Sequence, residues 1–163
     1  MYRSGVTEKQ TEVKIDFNLS KTIWFKNNDD RDHSISLLKK LKEDSFGLIL
    51  IPDFSFSKGN CVIEMDVEFI KGFTIGTLIP KYREIVKKEL VDRDSDWTFG
   101  DYHTPNFIVE DRTEKIYAVD LQSYGYFPDR NHRNHLWNKA IARCDRFLEN
   151  LLFKNINDRY DLG

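Results

Sequence analysis

The chain has 163 residues, 40% of them hydrophobic and 13% aromatic, enough for one domain or two small lobes around a shared cleft. Its 25 basic residues nearly balance 27 acidic ones, so the basic footprint of a nucleic-acid-binding domain is missing and no nucleic-acid partner is expected. No apolar run approaches the roughly 18 residues of a membrane span, and no signal-peptide pattern opens the chain. Cys61 and Cys144 form neither a disulfide framework nor a CxxC pair, which predicts two buried thiols in a soluble, cytoplasmic protein.

Tyr2–Val6 is a candidate first strand. Glu12–Phe17 alternates polar and apolar residues, with Val13, Ile15 and Phe17 on one face, which is the period of a half-buried strand. Asn18–Lys21 supplies turn residues and Thr22–Lys26 is rich in β-formers, so the two runs predict a hairpin. Asn27–Asp32 suits a helix N-terminus, and Ile35, Leu37, Leu38 and Leu41 then recur at helical spacing as far as Glu43. Leu48–Ile51 reads as a short strand ended by Pro52, and Phe54–Phe56 and Cys61–Phe69 as two more around a Ser57–Asn60 turn. Beyond Ile70-Lys71-Gly72 the pattern turns helical, with a helix over Ile79–Leu90 that has Pro80 in its first turn. Asp92–Asp96 is a charged loop. Phe107–Val109 and Ile116–Val119 form a hairpin around Glu110–Lys115, and Arg133–Phe153 is a long amphipathic helix.

The chemistry concentrates in Phe99-Gly100-Asp101-Tyr102-His103-Thr104-Pro105-Asn106 and in Asp120. Asp101 sits in a tight loop, Asn106 opens one strand of the hairpin, and Asp120 ends the other, so the hairpin brings Asn106 and Asp120 to its open end. Phosphoryl transfer needs such a set: one carboxylate to orient the attacking hydroxyl, and a pair of hard oxygen ligands for magnesium.

These residues resemble the catalytic loop and metal-binding hairpin of the protein-kinase-like superfamily. They are most similar to its aminoglycoside, choline and lipopolysaccharide-core kinase branch, whose pattern is H-G-D-x-H-x-x-N followed by a hydrophobic strand ending in D. The resemblance implies Asp101 as catalytic base, Asn106 and Asp120 as magnesium ligands, and His103 as a brace for the loop. It also implies Lys26, at the end of its strand, as the phosphate-binding lysine. Ile63–Gly72 would be the strand and hinge whose backbone receives adenine, with Glu68 at the hinge acid position and Ile70 beside it. Departures accompany the likeness. Phe99 replaces the loop histidine, Gly5–Lys9 carries one glycine in place of a glycine-rich phosphate loop, and Ser34 stands where the helix glutamate belongs. Asp30, one helical turn earlier, is a candidate substitute for that glutamate. Leu121-Gln122-Ser123 follows Asp120, and only about 40 residues come after it, fewer than the large helical lobe requires.

Each residue also has a plainer reading. Asp101, Asn106 and Asp120 are types that favour turns, Lys26 fits a solvent-facing strand end, and His103 fits a surface histidine. His132 and His135 with Asp129 suit a solvated helix start better than a metal group. Tyr124, Tyr126 and Phe127 fit a substrate mouth or packing on the last helix, and Arg130, Arg133 and Arg143 fit an acidic-substrate contact or a solvated face.

The sequence therefore predicts an α+β protein with a minimal bilobal protein-kinase-like fold: an N-lobe over residues 1–70 and a reduced C-lobe over 71–163. The expected activity is ATP- and Mg2+-dependent transfer of the γ-phosphoryl group to a hydroxyl of a small molecule or sugar, a lipopolysaccharide-type heptose among them. The alternatives are a catalytically weak pseudokinase that binds nucleotide or a partner, and a protein kinase or ATPase subunit completed by a partner or by a second copy of the chain.

Overall fold

The computed structural model describes residues 10–15, 20–74 and 79–160. The expected Tyr2–Val6 strand and the Gly5–Lys9 segment lie outside these residues. Among these residues the architecture is mixed α+β, with three small sheets and three α-helices.

The first sheet is built from β1 (Gln10–Ile15), β2 (Ser20–Phe25), β4 (Phe54–Gly59) and β5 (Val62–Val67) in the order β1-β2-β5-β4, all antiparallel. Ile23 lies opposite Ile63 and Ser20 opposite Asp66. Ile23, Phe25, Ile63 and Met65 turn inward and are buried.

Helix α1 (Asn28–Glu43) packs against this apolar face through Ile35, Leu37, Leu38 and Leu41. Each such side chain stabilises the fold by about 1.5–3 kcal/mol. Its start is set by Asn27, whose side chain accepts a hydrogen bond from the Asp30 N–H at 2.8 Å. Asp29 and Asp30 in the first turn and Lys40 and Lys42 in the last complement the helix dipole.

The β4–β5 turn falls at Asn60–Cys61, two residues later than the polar Ser57–Asn60 run suggests, because both strands continue until Gly59 pairs with Val62. Cys61 takes the left-handed conformation (φ 56°) in this turn, and its N–H donates to Asn28 Oδ1 at 2.8 Å. It is therefore half-buried, whereas Cys144 is buried as expected.

Short β3 (Ile49–Leu50) pairs parallel with β9 (Ile116–Ala118), β9 pairs with β8 (Phe107–Glu110), and β8 pairs with β6 (Gly72–Phe73). A Cβ on Gly72 would come within 2.0 Å of the Val109 carbonyl oxygen, so only glycine allows β6 to approach β8 this closely. Helix α2 (Pro80–Val86) continues into a π-helical turn over Lys87–Val91 that buries Leu90 and Val91.

Strands β7 (Trp97–Phe99) and β10 (Tyr124–Tyr126) form a two-stranded ribbon across the base of the Asp101 loop. Helix α3 (Arg130–Tyr160) begins earlier than Arg133 because Asp129 caps it, accepting from the Asn131 N–H at 2.8 Å. No described helix is long and apolar enough to cross a membrane.

Candidate functional site

Gly100, between β7 and the Asp101 loop, donates its N–H to the Ser123 carbonyl at 3.0 Å. A Cβ there would lie 2.1 Å from the Phe127 ring, so the loop seats only with glycine in front of Asp101. Where the resemblance expects a histidine, Phe99 is buried against Phe46 (ring centroids 5.2 Å) and Tyr124 (5.9 Å), and this aromatic cluster supports the loop. Tyr102 lies behind it, buried on Trp137 at 5.8 Å, with a hydroxyl that has no hydrogen-bond partner among the described residues.

Asp101 is half-exposed, and its carboxylate accepts the His103 N–H at 3.3 Å. The His103 Nε2 lies 3.8 Å from the same oxygen, beyond hydrogen-bond reach, and its Nδ1 is covered without a partner among the described residues. A 3₁₀ turn over Thr104–Asn106 then returns the chain into β8. Its last residue, Asn106, donates its side-chain amide to the Asp101 carbonyl at 3.3 Å. The Asn106 Oδ1 accepts no hydrogen bond among the described residues.

The Val119 N–H donates to the Asn106 carbonyl at 2.9 Å, and Phe107 pairs with Ala118, so Asp120 emerges beside Asn106. Ser123 Oγ–H occupies one Asp120 oxygen at 2.8 Å, and the other accepts no hydrogen bond among the described residues. Asp101, Asn106 and Asp120 are thus drawn together by the Asn106 side chain and the hairpin register.

A lysine also reaches this group, and it is Lys21. It shares the inward face of β2 with Ile23 and Phe25, and its Nζ donates to Gln122 Oε1 at 3.1 Å. Burial pushes the Lys21 ammonium below the usual lysine range, and the nearby Asp120 carboxylate partly opposes this. Gln122, on the 3₁₀ turn Leu121–Ser123, is 4% exposed.

Lys26 lies outside the group. Strand β2 ends at Phe25, leaving Lys26 exposed at the far end, five residues or roughly 16 Å along the strand from Lys21. Strand parity carries the missed signal: Lys21 alternates in step with the apolar residues Ile23 and Phe25, and Lys26 does not.

The remaining predicted residues fall in other places. Asp30 sits half-buried in the first turn of α1, and Ser34 is fully buried with a hydroxyl that finds no partner among the described residues. Helix α1 therefore presents no carboxylate at the Ser34 position. Glu68 is exposed after β5; its N–H donates to the Asp53 carbonyl at 2.7 Å and its carboxylate accepts the Asp53 N–H at 3.4 Å. Ile70 is buried in the linker between β5 and β6, and its backbone N–H and C=O pair with no other described residue.

Arg133 neither faces solvent nor lines a site. It is 3% exposed, and its guanidinium donates to the carbonyls of Val91 (2.8 Å), Phe127 (2.5 Å) and Arg93 (2.9 Å). Of the three aromatics, Tyr124 joins the Phe99 cluster, Phe127 stacks on His132 at 6.3 Å, and Tyr126 is left 43% exposed. No group of three His, Cys, Asp or Glu residues able to hold a metal occurs among the described residues.

Beside the Asp101 loop lies a cavity of about 490 Å3, lined by Thr74, Asp101, His103, Thr104, Pro105, Asn106, and by Arg143, Cys144 and Phe147 of α3. Thr104 Oγ1 and Cys144 Sγ, 2.9 Å apart, fasten the Asn106 turn to α3. Compared with known proteins, the chain matches no family model and no curated protein.

Proposed function

We propose that the chain is an ATP- and magnesium-dependent phosphotransferase with a reduced, bilobal protein-kinase-like organisation, in which residues 1–70 and 71–163 meet across the nucleotide. The observation that carries this reading is the convergence of Lys21, Asn106 and Asp120 beside the Asp101 loop. The donor set suits magnesium, because Asn106 Oδ1 and the open Asp120 oxygen are hard ligands that would hold it, with a nucleotide's phosphates and water supplying the remaining oxygens. When bound, magnesium neutralises charge on the β- and γ-phosphates.

The chain's own residues supply the rest. Asp101 orients the acceptor hydroxyl and takes its proton as the acceptor oxygen bonds to the γ-phosphorus. The bond from that phosphorus to the β-phosphate's bridging oxygen breaks, and its electron pair leaves with ADP. Lys21 neutralises the phosphates; its place in the site is held by Gln122, since α1 offers Ser34 in place of a carboxylate. The backbone of Ile70, without a partner among the described residues, would meet the adenine edge, with Glu68 close by in the chain. Positioned charges of this kind supply most of the acceleration in phosphoryl transfer.

Thermal melting with ATP, with and without magnesium, tests the reading, with the Asp120→Ala variant alongside. A hundredfold excess of ligand over its dissociation constant stabilises the folded state by about 2.7 kcal/mol. The expected result is a magnesium-dependent rise in Tm that Asp120→Ala loses. No shift at millimolar nucleotide would sink the reading for the isolated chain.

One observation favours a second reading, a protein kinase or ATPase subunit completed by a partner. The far part of α3 exposes Phe147 (53%), Leu152 (63%) and Phe153 (66%). A mass in solution that rises with concentration supports it; a constant monomer mass removes the version in which a second copy completes the chain.

A further inference from the structure

The α3 side of the cavity carries an unspent positive charge next to the proposed base. Arg143 is exposed on the cavity wall and forms no ion pair among the described residues. The nearest acid along α3, Asp145, is already committed to Arg83 at 2.8 Å. Around Arg143 the cavity offers an apolar wall, Pro105 and the Phe147 ring, and the hydroxyl of Thr74. A guanidinium is suited to paired oxygens of a phosphate or carboxylate. At about 490 Å3 the space is of the size that holds a small molecule.

We infer that this cavity is the acceptor subsite and takes a polyhydroxylated anion, a phosphorylated or carboxylated sugar, with its anionic group on Arg143, its carbon skeleton on Phe147 and a hydroxyl at Asp101. The role given to Asp101 rests on the phosphotransferase reading; the anion site at Arg143 does not.

The test is saturation-transfer NMR on the whole chain without nucleotide, with glucose 6-phosphate, glucuronate and glucose as probes, repeated on Arg143→Gln and on Lys139→Gln, an exposed α3 position outside the cavity lining. Both anionic sugars should bind, glucose about tenfold more weakly or worse, and Arg143→Gln should lose about tenfold in affinity for the anions while Lys139→Gln retains it. Arg143 is exposed, so its variant should melt with the wild type, which separates lost binding from lost folding. Absence of binding by either anion at about 10 mM, equal binding of glucose, or an unaffected Arg143→Gln variant each overturns the subsite. The ATP and magnesium melting shift is measured on the same sample. A shift without anion binding overturns the subsite and leaves the phosphotransferase reading; anion binding without a shift does the reverse.

Discussion

Replacing Lys21 and Lys26 one at a time by alanine separates the lysine that strand position selects from the one that the folded site selects. Lys21 points at Gln122 and Asp120, whereas Lys26 stands roughly 16 Å further along β2 and is exposed. No rotamer of a four-carbon stem crosses that gap. A hydrogen bond from a charged donor contributes about 1.5–3 kcal/mol. Lys21→Ala should therefore weaken nucleotide binding by about 10- to 150-fold. Lys26→Ala touches an exposed strand end and should stay within about 0.5 kcal/mol of wild type, roughly twofold. Titration calorimetry with ADP and magnesium reads both constants, and Lys21→Met controls for lost packing. Full binding by Lys21→Ala together with a tenfold loss in Lys26→Ala would refute the assignment and restore the strand-end lysine.

Three further outcomes follow from the packing around the site. Arg133→Ala strands three carbonyls that the guanidinium now satisfies, and should cost about 3–5 kcal/mol, a fall in Tm of about 6–20 °C; urea denaturation showing under 1 kcal/mol would contradict the role given to Arg133. Gly100→Ala forces a methyl into the Phe127 ring and should destabilise by about 1–3 kcal/mol. Adding Phe127→Leu should recover part of that loss in a double-mutant cycle, and strict additivity of the two changes would dismiss the clash. Lys21 titrates lower in the folded than in the unfolded chain, so between those two values the unfolded chain holds more protons. Stability should accordingly rise with pH from the lowered value towards 10.5, relative to Lys21→Met, and denaturation curves at several pH values below the tyrosine range would show it. Parallel curves for the two proteins would exclude the burial of the ammonium.

The elements legible in the sequence are those whose partners lie nearby in the chain. Ile35, Leu37, Leu38 and Leu41 mark the inner face of α1 through the helical period alone, and Asn27 followed by Asp29 and Asp30 marks its start. The Phe107–Asp120 hairpin is equally local: two short apolar runs around a polar turn pair with each other, which brings Asn106 and Asp120 to one end. Asp101, tied to Asn106 through a turn of a few residues, comes with them.

Tertiary structure decided whatever depends on a distant partner. The ribbon between β7 and β10 joins Phe99 to Tyr124, and neither three-residue run has enough period to announce a strand. Arg133 on its helix has the sequence context of a surface arginine, and only the arrival of the Val91, Arg93 and Phe127 carbonyls buries it. Arg143 and Phe147 face Asp101 because α3 packs beside the Asn106 turn, a placement that helical periodicity alone leaves open. The choice between Lys21 and Lys26 belongs to the same class. Both flank the same β-rich run, and which end of β2 meets Asp120 is set by its pairing with β5 and by the seating of the hairpin, contacts some 40 to 100 residues away in sequence. Local pattern chooses the element and the face. Long-range packing chooses which side chains meet across a cleft, because that depends on the summed burial of the whole core and not on any neighbour in the chain.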